Sequence, residues 1–390
     1  KPELRGKDEF VKVEYKDAIK LAAKELLKTR RKKGNTAICG GSYGWKSTGN
    51  FHNARVLLHR FLNVTGGFTG VTGDYSTGAS QVIMPYVVGS IEVYEQQTSW
   101  ENILEHSKNV VIWGADPYST MRIAWTADDQ RGWKYFEQLK KSKIKVICID
   151  PVRTETAKFL KADLIQPRPN TDVAMMLAMA SHLIAVNKVN YEFLDTYTTG
   201  FDKFKAYLEG KEDGVKKDSK WASKICGVDE KTIEKLAETM FDNPTMIMSG
   251  WGMQRAHHGE QPHWMLVTLA AMLGQIGTPG GGFGLSYHYS GGGVPTCKAG
   301  IPSGMSAGPV GIWKNGKFQG MPKQSAALGG AEWLQDASSF SFPLARIAEA
   351  LLNPGKTLQT NGKTIKYPDM DLIWWSGGNP IVHHQDTNTN

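Results

Sequence analysis

Apolar positions along this chain follow two periods, and the switches between them predict its elements. Short, mainly apolar runs at 35–39, 109–113, 145–149, 162–166, 244–248 and 370–375 predict buried strands, because a strand covered on both faces carries no alternating polar stripe. Between them, apolar residues recur at helical spacing over 15–33, 53–62, 98–106, 133–141, 173–186 and 263–272. A weak alternation over 8–15 predicts a short strand before the first helix. Thr98 and Glu101 form a capping-box pattern, and Asn170 or Thr171 is placed to cap the helix that follows. Met175, Met176, Met179 and Leu183 read as core. The charged segment 188–243, with Ile233, Leu236, Ala237 and Met240 at helical spacing, reads as a solvent-side excursion.

Nearly every predicted strand delivers a polar or Gly-rich loop at its C-terminal end: 40–45, 114–120, 150–156, 167–172, 249–255 and 376–380. Strand, loop and helix in alternation predict an α/β fold of two doubly wound, Rossmann-like domains with mostly parallel sheets, ligands lying across the strand ends. We expect a first domain from 1–116 with 345–390. A second, nucleotide-binding domain is expected over 117–344, including a Gly-rich stretch at 274–328 too long for a plain connector. One hydroxyl stands out between two glycines, in Gly73-Asp74-Tyr75-Ser76-Thr77-Gly78. It reads either as an ordinary turn or as a turn that presents Ser76 to something bulky.

Composition narrows the choices. With 41% apolar and 22% charged residues among 390, the chain can bury a sizeable core, and 42 glycines imply many tight turns. The net charge of +8 suits an acidic or phosphate-bearing ligand, but the one basic run, Arg30-Arg31-Lys32-Lys33, sits where it complements a helix C-terminus rather than a nucleic acid. Cys39, Cys148, Cys226 and Cys297 are too scattered for a disulfide framework, a zinc site or an iron–sulfur cage. His257-His258 and His383-His384 lack the i, i+4 spacing of metal ligands. No leader-like segment and no membrane-length apolar run is present. Lys1 in place of Met, and the polar run ending at Asn390, read as the ends of a piece of a longer chain. Neither GxGxxG nor GxxxxGK[ST] occurs, which weakens an ordinary NAD or ATP site.

The loops hold the candidate chemistry. Asp150 stands where an acidic residue meets ribose hydroxyls in dinucleotide folds, or where a helix starts. Asn170, Thr171 and Asp172 could read a guanine edge, or serve as N-cap residues. Arg255 offers a planar donor fork suited to phosphate or an oxyanion. Tyr43 and Trp45 display large rings with polar tips in the first strand-end loop.

Five stretches together resemble the dimethyl sulfoxide reductase family of molybdopterin oxidoreductases. They are Gly40-Gly41-Ser42-Tyr43-Gly44-Trp45, the Ser76 hexapeptide, Trp251-Gly252-Met253-Gln254-Arg255 with His258-Gly259-Glu260-Gln261, Gly277-Thr278-Pro279-Gly280-Gly281-Gly282-Phe283-Gly284, and Gly378-Asn379-Pro380 with His383-His384-Gln385-Asp386. The match runs in register along the chain and is nearest the dimethyl sulfoxide, biotin sulfoxide and trimethylamine N-oxide reductases. It implies molybdenum held by the dithiolene sulfurs of two molybdopterin guanine dinucleotides (a molybdenum bis(molybdopterin guanine dinucleotide) cofactor) and by one serine oxygen, that of Ser76. It implies that Tyr43 and Trp45 donate hydrogen bonds to the oxygen in transit and that Arg255 stands near the pocket. Trp45, Ser119, Thr120, Ile149, Asp150, Asn170, Thr171, Asp172, Trp251, Gly252, Arg255, Asn379 and His383 would contact the dinucleotides.

The resemblance further implies two-electron, two-proton removal of oxygen from S-oxides such as dimethyl, methionine or biotin sulfoxide. The N-oxide branch lacks the tyrosine that this chain keeps at Tyr43, so trimethylamine N-oxide is the alternative substrate. A c-type cytochrome electron donor, a role in anaerobic respiration and a periplasmic location, with a cytoplasmic one as the alternative, follow from the same likeness. So do a domain before residue 1 and a large one after residue 390, without which this fragment alone would be a half-cleft. No nucleic-acid partner is expected. Two other classes compete: an NAD-dependent dehydrogenase on a Rossmann sheet, and a non-catalytic nucleotide-binding fragment.

Overall fold

A computed structural model describes residues 7, 11–41, 54–93, 97–121, 131–288, 292–294, 311–314, 317–320 and 341–377. The fold is α/β with mostly parallel strand pairing. The described residues form two compact units, one drawn from 1–44, 53–72 and 300–390, the other from 73–299.

The second unit is built on a five-stranded, all-parallel sheet. Its strands are β1 (Asn109–Trp113), β2 (Lys145–Ile149), β3 (Asp163–Ile165), β4 (Thr245–Ser249) and β5 (Gly282–Gly284), in the spatial order β3-β2-β1-β4-β5. The expected domain boundary at residue 116 falls inside this unit, because β1 is the central strand and pairs with both β2 and β4. Side chains of successive strand residues point to opposite faces, and both faces are covered. Val111, Trp113, Ile147, Ile149 and Ile247 enter one core cluster. Val110, Ile112, Val146, Cys148, Met246 and Met248 enter another. This two-sided burial is why these strands read as unbroken apolar runs.

Three helices matter for the site: α1 (Gly78–Val87), α2 (Asp172–Ala185) and α3 (Glu260–Met272). Met175, Met176, Met179 and Leu183 of α2 are buried, as is most of α3. Each such side chain contributes about 1.5–3 kcal/mol on leaving water. The segment expected to be a solvent-side excursion instead closes this core. Leu194, Leu208, Ala222, Cys226, Ile233 and Leu236 are buried in the same cluster as α2, their helices turning charged faces outward and an apolar stripe inward.

Smaller corrections concern element ends. The cap of the Trp100–His106 helix is Ser99, whose Oγ accepts from Asn102 N at 3.3 Å, and not Thr98. No strand forms over 11–14, while 8–10 lie outside the described residues. The stretch 274–328 is not wholly without period: it contributes β5 and the antiparallel strands Gly311–Lys314 and Lys317–Gly320.

In the first unit, Ile38–Gly41 pairs in parallel with Leu372–Trp375, and Gly70–Thr72 with Ser341–Pro343. The first of these begins at Ile38 because Asn35–Ala37 form a 3₁₀ turn. Leu372–Trp375 is half-buried rather than buried, with Ile373 exposed. An antiparallel hairpin, Thr357–Thr360 with Lys363–Lys366, turns through Asn361 (φ 48°) and Gly362 (φ 71°), the Asn-Gly pairing that a two-residue I′ turn requires.

Candidate functional site

In a doubly wound sheet, ligands lie where the strand order reverses, outside the C-terminal ends of the strands. Here the reversal falls between β1 and β4. The loops 114–120 and 249–255 therefore flank the crevice, and they pack closely there: a Cβ on Gly250 would stand 3.0 Å from Ala115 Cβ, tight enough that one loop would have to give by a few tenths of an ångström.

Ser76 lies in the turn that leads into α1, and it is partly buried. Asp74 organises that turn: its Oδ1 accepts from Thr77 N at 2.6 Å and its Oδ2 from Gln81 Nε2 at 2.9 Å. The carbonyl of Ser76 accepts from Gln254 Nε2 at 2.6 Å and from Arg255 Nε at 3.1 Å. The structure thus brings Ser76 and Arg255 together. Gln254, which reading the sequence did not single out as a site residue, joins them.

Behind this loop lies a second polar link. His263 of α3 is fully buried, with Ser80 Oγ 2.5 Å from Nδ1 and the Gly250 carbonyl 3.1 Å from Nε2. Burial, partly offset by the Gly250 bond, lowers its pKa to about 4. The ring is therefore neutral at pH 7: Nε2–H donates to the Gly250 carbonyl and Nδ1 accepts from Ser80. Trp251 is also buried, its Nε1 donating to Ser286 Oγ at 3.1 Å and its ring edge-on to His288. Burial, with Arg255 and His263 adding to it, lowers His288 to about 3.

On the β2–β3 side the groups are acidic. Asp116, after β1, accepts from Thr156 N, Thr156 Oγ1 and Ser119 Oγ. Burial pushes its carboxyl up, but these bonds from Thr156 and Ser119 hold it below the usual range. Asp150 and Asp172 go the other way. Burial raises Asp150, opposed by its bond from Val152 N and reinforced by Asp116 and Asp172. Burial raises Asp172 too, against the bond from Trp113 Nε1 at 2.7 Å.

Asp150 does not start a helix, since Thr154 caps the next one. Asp172 is the first residue of α2, and Thr171, at the N-cap position, makes no side-chain cap bond; its hydroxyl donates to Arg168 O at 2.6 Å. Asn170 is exposed and left-handed (φ 61°). The side chain of Ile149 is buried in the core, so only its backbone faces the strand end. Thr120 donates to the carbonyls of Asp116 and His288. Gly252 is exposed at the crevice. Tyr43, Trp45, Asn379 and His383 lie outside the described residues.

Among the described residues no group of three or more His, Cys, Asp or Glu could hold a metal ion. Cys39 and Cys148 are buried, which pushes both thiols up to about 12 and keeps them protonated at neutral pH. Nor is any helix among the described residues long and apolar enough to cross a membrane.

Comparison with known proteins agrees on one family. The chain is 53% identical to the trimethylamine-N-oxide reductase of Haemophilus influenzae over 99% of its own length. It is 49% identical to the dimethyl sulfoxide/trimethylamine N-oxide reductase of Cereibacter sphaeroides over 98%. It spans 45% of the length of each of these relatives. Among solved structures, acetylene hydratase from Pelobacter acetylenicus aligns with a TM-score of 0.49 and 20% identity, over 69% of this chain and 34% of that one. The family described as Molybdopterin oxidoreductase matches residues 1–390, and the chain belongs to that family.

Proposed function

We propose that this chain forms the serine-bearing part of a molybdenum-dependent reductase that removes oxygen from S-oxides, with a bis(molybdopterin guanine dinucleotide) cofactor. The observation that carries the reading is the fixed presentation of Ser76: its carbonyl is held by Gln254 and Arg255, while Cβ atoms built on Gly73 and Gly78 meet nothing within 4 Å. A single hard oxygen on a turn whose flanking glycines leave room for bulk fits a metal whose other ligands are bulky cofactor sulfurs.

When bound, the cofactor supplies two-electron oxygen-atom transfer. The chain's own residues bind and orient. Ser76 supplies its oxygen to the metal. Arg255, tethered through Nε to the Ser76 carbonyl, would hold a cation beside the cofactor, where it would favour negative charge on an oxygen being removed. The half-buried Asp172, with one oxygen on Trp113, accepts from the paired N–H donors of a guanine, and Asp150 from ribose hydroxyls. Trp251 and Gly252 line the other side of the strand order's reversal; Ser119, Thr120, Ile149, Asn170 and Thr171 complete the dinucleotide contacts. Tyr43, Trp45, Asn379 and His383 take the roles that the family likeness gives them.

Tyr43 favours S-oxides, whereas the names of both relatives cited above favour trimethylamine N-oxide as a further substrate. A c-type cytochrome donor and a periplasmic location rest on the family likeness. The test is metal and pterin analysis of the purified full-length protein, followed by kcat/KM for methionine sulfoxide, dimethyl sulfoxide and trimethylamine N-oxide with a reduced dye. About one molybdenum per chain and a higher kcat/KM for the sulfoxides are expected. A metal-free, pterin-free protein that binds NADH would instead establish the dehydrogenase reading.

A further inference from the structure

A glutamine side chain has two N–H donors and one oxygen with two lone pairs, and Gln254 uses all four. Its Nε2 donates to Ser76 O at 2.6 Å and to Trp251 O at 2.8 Å. Its Oε1 accepts from Ala79 N at 3.1 Å and Ser80 N at 3.4 Å. The opposite amide orientation would set N–H against N–H and oxygen against oxygen, so the network fixes which way the amide faces. Gln254 is 3% exposed.

Ala79 and Ser80 are the second and third residues of α1, whose amides have no partner inside the helix. The residue at the N-cap position, Thr77, is of a type that ordinarily serves them, yet its side chain makes no cap bond. The cap comes from a residue 175 positions away from Ala79. The turn carrying that residue tolerates no side chain at Gly259, where a Cβ would fall 1.9 Å from Gln254 O. A second anchor, Ser80 on His263, ties the same first turn of α1 to α3.

We infer that Gln254 is the positioning residue for Ser76: one buried amide holds the Ser76 carbonyl and caps the helix that follows, so the direction of the Ser76 side chain is set from the 249–255 loop. This rests on Ser76 as the metal ligand. Two functions that could be separate are joined in one side chain, and substitutions can part them. Gln254→Glu, assayed at a pH where its carboxyl is ionised, keeps oxygens that accept from Ala79 and Ser80 but has no donor for Ser76 O. Gln254→Met loses both.

The experiment compares the cofactor-loaded parent with Gln254→Glu, Gln254→Met and, as a control, Ser80→Ala, which breaks the His263 anchor alone. Molybdenum content, the Mo(V) electron paramagnetic resonance signature, kcat and KM are measured, with amide hydrogen exchange at Ala79 and Ser80 in the cofactor-free proteins. For Gln254→Glu we expect parent-like exchange, an altered signature, and kcat lower by about 10–100-fold with KM nearly unchanged, as when an outer-sphere partner of a metal ligand is removed. Gln254→Met shows the same loss with faster exchange, and Ser80→Ala keeps the parent signature. Should Gln254→Met fail to fold, Gln254→Glu decides alone. A molybdenum-loaded parent whose signature and kcat survive Gln254→Glu overturns the inference, whereas a parent without molybdenum overturns the reading of Ser76 itself.

Discussion

The two sides of the strand-end crevice handle polarity in opposite ways. On the β4 side, Gln254 and His263 spend their hydrogen bonds on protein partners, and burial keeps His263 neutral. On the β2–β3 side, Asp150 and Asp172 remain as carboxyls raised by burial. A single metal ligand must be fixed within a fraction of an ångström, which demands a fully satisfied surrounding network. A nucleotide-binding carboxylate needs the reverse, since its desolvation is offset only when the ligand's N–H groups arrive. Rigidity and unmet electrostatic demand are thus divided between the two edges of one sheet.

The sharpest way to break this contrast is at Ser76. Ser76→Ala should lower oxygen-atom transfer with dye donors by at least about 10³-fold, while the melting temperature stays within a degree or two. Full activity in that variant would falsify the ligand assignment.

Next in size is the pH response of the β4 side. The folded pKa of His263, about 4, lies below the ordinary value near 6.5. Its stabilisation is therefore fully present above pH 6.5 and is lost as pH falls from there toward 4. That loss is on the order of 3 kcal/mol, and His288, lowered to about 3, shares the sign. Denaturant midpoints measured between pH 7 and 4 should fall steeply for the parent and less so for His263→Gln. Equal slopes would mean that His263 does not govern the response.

The smallest effect is expected at the acidic edge. Asp172→Asn keeps an oxygen for Trp113 but loses the charge, so the affinity of the cofactor-free protein for guanosine diphosphate should drop roughly tenfold with little change in stability. Unchanged affinity, read by calorimetry, would remove Asp172 from guanine recognition.

How much of this was legible in the sequence depends on the range of the interaction. The runs Val110–Trp113 and Val146–Ile149 announce themselves because two-sided burial leaves no polar position. Ser76 stands out locally as a hydroxyl between glycines and Arg255 as a donor fork in a strand-end loop, while the roles expected of them come from long stretches resembling a known family. Gln254 lay in the same stretch and was passed over, because a glutamine after a tryptophan and a methionine carries no local signal. Its partners lie 174 to 178 residues away. His263 looked like any histidine on an apolar helix for the same reason. The helices between 188 and 243 were misjudged on their charge, although the spacing of Ile233, Leu236, Ala237 and Met240 already marked a buried stripe. The pattern of Thr98 with Glu101 misplaces the cap by one residue, to Ser99; the burial of Trp100, with its Nε1 on Gly292 O, is a contact no capping pattern encodes.

The span of 178 residues between Ser76 and Gln254 also has a consequence in time. At about 5–20 residues per second during synthesis, Ser76 leaves the ribosome roughly 10–40 seconds before the side chain that bonds its carbonyl. Throughout that interval the serine is an ordinary hydroxyl on a nascent chain. The turn takes its final hydrogen bonding only after translation has passed the tryptophan, the methionine and the glutamine that follow β4, so its geometry is completed late in elongation.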